Sequence, residues 1–153
     1  MQNNTCLNRR SIVSAYKSEA YDKLIQYNIE DRFTVKLKSP KNKNWVAIYR
    51  AYSQFNNGGK GPIFWINPEL LSNPSEFVIS ILHEYGHVIA EYAWVTENNI
   101  SSLLRKHWEG RYLNRPWDEE EFAEEFAQFI YGNSSFHKDS LTEIIAAYTA
   151  SFK

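Results

Sequence analysis

Residues 73–94 read NPSEFVISILHEYGHVIAEYAW, and the rest of the chain is arranged around them. Apolar side chains recur at Phe77, Val78, Ile81, Leu82, Tyr85, Val88, Ile89 and Tyr92, which is helical spacing. Asn73 is suited to the N-cap, Pro74 to the first helical position, and Glu76 follows three residues after the cap. The pattern predicts a largely buried helix from Asn73 to about Trp94. His83, Glu84 and His87 lie within its apolar stretch. At 3.6 residues per turn, His83 and His87 share one face, and Glu84 is rotated from His83 by about 100°. Two imidazoles and a carboxylate taken out of water need partners, and a divalent cation supplies them. The H-E-x-x-H spacing suits zinc: the histidines hold the ion, which lowers the pKa of a bound water to about 7, and the glutamate takes up the proton. Gly86 leaves the backbone bare beside these residues, at a position where alanine is the better helix former.

A hydrolytic zinc site needs a third protein ligand and an open position. After His87 the chain continues Val-Ile-Ala-Glu-Tyr-Ala, so no third histidine follows closely; His107 and His137 are the remaining ones. The better source is WDEEEFAEEFAQFIY, residues 117–131. Here Phe122, Phe126, Phe129 and Ile130 form an apolar stripe, and Asp118 with Glu121 fits a capping box. Glu120 and Glu124 fall one turn apart on a shared face. Ala123 and Ala127 are small enough for this helix to approach the first one closely. The expected arrangement has Glu120 as ligand and Glu124 accepting a hydrogen bond from a ligand imidazole's free N–H. Glu121, Glu124 and His107 are the alternative ligands. Helices are also expected over Ser11–Tyr27, Asn98–Trp108 and Asp139–Ser151, with Gly132 closing the one before it.

Upstream, residues 33–38 (FTVKLK) alternate as a half-buried strand, and Trp45–Tyr52 reads as a second, more buried one. A break at 56–61 (NNGGKG) leads to Pro62–Asn67, where the proline suits an edge strand. The expected class is α+β: one domain over residues 1–153, with 1–8 as a flexible tail. Its small N-terminal three-stranded mixed sheet has an edge strand just before the His83 helix, and its C-terminal half is helical.

Composition narrows the function. The chain has 153 residues, 43% hydrophobic and 16% aromatic, enough for one substantial core. A net charge of -1 gives no footprint for nucleic acid or an anionic membrane, so neither is an expected partner. Cys6 stands alone, which excludes an intramolecular disulfide framework. With no apolar leader or membrane-length run in view, a cytoplasmic location is the expectation. The lysines at 36, 38, 41 and 43 read as a solvated strand and turn.

The two helical motifs together resemble the gluzincins, zinc peptidases whose third ligand is a glutamate on a helix downstream of H-E-x-x-H. The segment from Glu120 to Phe126 is similar to the E-x-F-A-E-x-F helix of the anthrax lethal factor catalytic-domain group. From Glu120 to Ala127 it also fits the E-x-x-A-x-x-F-A of ImmA/IrrE-like peptidases. The resemblance covers about a third of the chain. It implies zinc held by His83, His87 and Glu120, Glu84 as general base, and a protein or peptide substrate. The lethal-factor group carries an oxyanion-stabilising tyrosine seven residues before its ligand glutamate. That position is Leu113 here, so the neighbouring Tyr112 is the candidate and His107 its rival. The resulting expectation is a zinc endopeptidase with an extended substrate laid along Ile63–Asn67. The alternative is a non-catalytic zincin-fold regulatory or interaction domain.

Overall fold

The structure, a computed structural model, describes residues 5–30, 32–39, 47–49, 61–96, 99–109, 119–135 and 137–151. Its organising element is the helix α2 (Pro74–Thr96), with α1 (Thr5–Ile25), α3 (Asn99–Glu109), α4 (Glu119–Tyr131) and α5 (Lys138–Ala150) around it. Three short strands, β1 (Thr34–Leu37), β2 (Ala47–Tyr49) and β3 (Ile63–Ile66), come before α2 in the chain. The class is α+β, and helix predominates.

The start of α2 follows from local chemistry. The Asn73 Oδ1 accepts from the Glu76 N–H at 3.4 Å and from the Ser75 hydroxyl at 3.3 Å, and Pro74 has no N–H to satisfy. A short 3-10 helix over Pro68–Ser72 delivers the chain to this cap, itself capped by Asn67. The side chains of Phe77, Val78, Ile81, Leu82, Tyr85, Val88 and Ile89 are then fully buried. Each contributes about 1.5–3 kcal/mol by leaving water. They meet Phe33, Phe64 and Ile66 of the sheet region, Leu24 of α1, Phe122 and Phe126 of α4, and Ile144 and Tyr148 of α5 in one core. Tyr85 is central to it, edge-on to Phe64 and Tyr148 and stacked on Phe126, with its hydroxyl 3.0 Å from that of Tyr148.

The sheet order is β1-β3-β2, with β3 parallel to β1 and antiparallel to β2. This corrects the expectation that Ile63–Asn67 forms an edge strand. Pro62 suggested an edge because it has no N–H to donate, but it lies just ahead of the ladder. There it serves as an acceptor: the Thr34 N–H donates to the Pro62 carbonyl at 2.9 Å. β3 can therefore be central. Gly61 makes this entry possible at φ +76°, where a Cβ would fall 1.8 Å from the Arg32 carbonyl oxygen.

One further boundary differs from expectation. α1 begins at Thr5, so residues 5–8, expected in a flexible tail, are helical. Asn8, Arg9, Arg10 and Ser11 are exposed, so this first part of the helix has no apolar stripe to announce it. α4 ends as expected: Gly132 has φ +98°, and the Asn133 N–H donates to the Gln128 carbonyl at 2.9 Å. Asp118, Trp45 and Tyr112 lie outside the described residues. No helix among the described residues is long and apolar enough to cross a membrane.

Candidate metal centre

α4 crosses α2 at Gly86. A Cβ on Gly86 would stand 2.8 Å from the Cα of Ala123 and 3.2 Å from its Cβ. Two small residues thus bring the backbones close enough for side chains one turn away to interlock.

At that crossing His83 and His87 lie with ring centroids 5.0 Å apart, and the Glu120 carboxylate spans them. One oxygen is 3.2 Å from the His83 Nε2 and the other 2.9 Å from the His87 Nε2. The far sides of both rings also meet carboxylates. The His83 Nδ1 is 3.4 Å from the Glu124 Oε1, and the His87 Nδ1 is 2.5 Å from the Glu119 Oε2. One ligand atom from each of His83, His87 and Glu120 lies within 4.8 Å of the others. The two histidine side chains are 20% and 11% exposed and Glu120 is 73% exposed, so the group sits at a protein wall that opens to solvent.

Proton counting decides what this arrangement can hold. Four ring nitrogens face carboxylate oxygens, but two neutral imidazoles carry only two N–H groups. With Glu124 and Glu119 taking the Nδ1 protons, both Nε2 lone pairs point at Glu120, a repulsive pairing that positive charge must relieve. Two extra protons or one shared cation would do so. The donor set, two imidazole nitrogens and a carboxylate, is one that could hold a divalent cation.

The electrostatics carry the same demand. Burial alone would lower the affinity of His83 and His87 for a proton. The hydrogen bonds to Glu124 and Glu119 and the nearby charges of Glu84 and Glu120 outweigh it, and both pKa values rise above 6.5. Glu84 is 4% exposed, and burial pushes its carboxyl up to about 7 against the pull of His87 and His83. Glu124 is held below the ordinary carboxylate range by its hydrogen bond to His83.

These shifts fix how the metal-free protein responds to pH. A carboxyl raised in the folded state binds its proton more tightly there, so its contribution to stability falls as pH rises from 4.5 through about 7. The raised histidines add stability below 6.5 that is lost at higher pH, the same sign. Glu124 opposes this trend but is half exposed and counts for little. Denaturant unfolding in a chelator is expected to show stability falling from pH 5 to pH 8, with about 3 kcal/mol from Glu84. A flat or rising profile would contradict the buried placement of that carboxyl.

The structure therefore brings together His83, His87, Glu120 and Glu124, with Glu84 buried beside them. It places His107 elsewhere. This residue is turned to α5 and the other side of α4, with Nδ1 2.5 Å from the Ser140 hydroxyl and Nε2 3.4 Å from Glu125. That removes it as an alternative ligand or oxyanion donor, because its ring is committed to a buried network. Glu119 is the residue the sequence reading missed. It reads as an exposed first-turn acid, and its only signal is adjacency to Glu120. No protein-family model, curated protein or solved structure matches this chain.

Proposed function

We propose that the chain is a zinc-dependent endopeptidase of the gluzincin kind. The observation that supports this best is the meeting of both histidine Nε2 atoms with the two oxygens of Glu120 at the Gly86 crossing. His83, His87 and Glu120 would hold the zinc, which when bound acts as a Lewis acid toward water and a peptide carbonyl. Glu84 follows His83 on α2 and is not needed as a ligand. Its buried carboxyl, poised near neutrality, takes a proton from the attacking water and returns it to the leaving amine. Glu124 accepts from the His83 Nδ1 and keeps that ring's other nitrogen directed at Glu120. Tyr112 retains the oxyanion role that the resemblance implies. With β3 paired on both sides, a peptide that adds to this sheet would pair with β1 or β2, of which β2 packs on α2.

The test is metal analysis after zinc loading, joined to sequencing of new N-termini in a proteome treated with the protein. One zinc per chain and a defined set of cleavage sites are expected from the wild type, and neither from Glu120→Ala. A wild type that binds no zinc, or binds it and generates no new termini, would reject the peptidase reading.

A further inference from the structure

The gluzincin-like helix pattern begins at Glu120 and has no place for Glu119. Yet Glu119 makes the shortest of the four carboxylate–imidazole contacts, 2.5 Å from the His87 Nδ1, and is only 32% exposed where Glu120 is 73% exposed. An acid that merely complements the α4 dipole can point into water; this one is turned inward onto a ring. We infer that Glu119 is a positioning residue for His87. It accepts the Nδ1 proton, so the neutral ring keeps its Nε2 lone pair for the cation shared with Glu120. This rests on the zinc reading above.

The geometry makes the inference specific to this chain. Neighbouring residues on a helix point about 100° apart and cannot approach one ring atom together. Glu119 and Glu120 avoid the conflict by taking opposite edges of one imidazole, Nδ1 and Nε2. His87 is thus held between two consecutive carboxylates of the first turn of α4. Flipping the ring would exchange Nδ1 with Cδ2 and Nε2 with Cε1, turning carbon atoms toward both carboxylates and losing both contacts. Glu119 also makes the ring a stronger donor, as an acceptor on the far nitrogen of a ligand histidine does in general.

The test compares full-length wild type with Glu119→Ala, Glu119→Met and Glu119→Gln. Zinc affinity is read by competition with a chromophoric chelator, and ligand geometry from the visible spectrum of the cobalt-substituted protein. Glu119→Ala and Glu119→Met are expected to weaken zinc about tenfold to a hundredfold and to shift the cobalt bands. Glu119→Gln, whose amide oxygen still accepts from Nδ1, should lose less and keep the wild-type spectrum. Glu143→Gln, which removes a charge from an exposed position on α5, should stay near wild type in both. Circular dichroism identifies any variant that does not fold, and Met, which keeps the chain length, decides if Ala fails. The inference is overturned if the folded Ala or Met variant matches wild type in affinity and spectrum, or if Glu143→Gln loses as much. A wild type that binds zinc while its Glu119 variants are unaffected refutes this inference alone; a wild type that binds none refutes the zinc reading with it.

Discussion

Glu84→Gln is expected to keep its zinc and to lose peptide hydrolysis by a factor of about 10² to 10⁴, the usual contribution of a positioned general base. The amide copies the size of the carboxyl but cannot take up a proton. Retention of the metal follows from geometry: the atoms that converge are the two Nε2 nitrogens and the Glu120 oxygens. Glu84 is 4% exposed, which leaves little room for a solvent molecule to act in its place. The same variant has a second readout that needs no substrate. At pH 8 the metal-free wild type holds a buried carboxylate whose pKa burial has raised to about 7, and the variant does not. The variant should then be the more stable by up to about 3 kcal/mol at pH 8 and equal to wild type near pH 5. Wild-type hydrolysis by Glu84→Gln would remove the general base, and loss of zinc would make Glu84 a ligand.

What the sequence discloses and what it hides divide along a physical line. α2 was legible because its cap, its first proline and its apolar stripe all lie within a few residues of one another. His83 and His87 share a face by helix geometry alone. Glu120 was legible from the face it shares with Glu124, and the close approach at Ala123 from the small residues Ala123 and Ala127 on the same helix. The place of β3 was not legible. Centre or edge is settled by which strands pair with it, and Pro62, read as a missing donor, enters the sheet as an acceptor. Glu119 was hidden for a related reason: one imidazole offers two edges to two consecutive residues, which no spacing rule reports. His107 looked free to serve the site because Ser140, the partner that claims it, comes 33 residues later on another helix.

Gly86→Ala is expected to damage the site without touching a ligand. Alanine is the better helix former by about 1 kcal/mol, so on an isolated helix the change would stabilise. Here the added Cβ would stand 2.8 Å from the Cα of Ala123 and 3.3 Å from its carbonyl oxygen, and both are backbone atoms that no rotamer change can move. Relief requires α4 to shift away from α2, at an overpacking cost of about 1–3 kcal/mol. Glu120 is carried on α4 and the histidines on α2, so the shift separates the atoms that now lie within 4.8 Å. Zinc affinity should therefore fall by more than the loss in metal-free stability accounts for, which chelator competition and denaturant unfolding measure on the same samples. Ala123→Gly in the same chain removes the Cβ at 3.2 Å but leaves the Cα at 2.8 Å, so the double variant should recover only part of the loss. Full recovery would locate the clash in the Ala123 side chain, and unchanged zinc affinity in Gly86→Ala would show that the close approach of α2 and α4 does not set the ligand spacing.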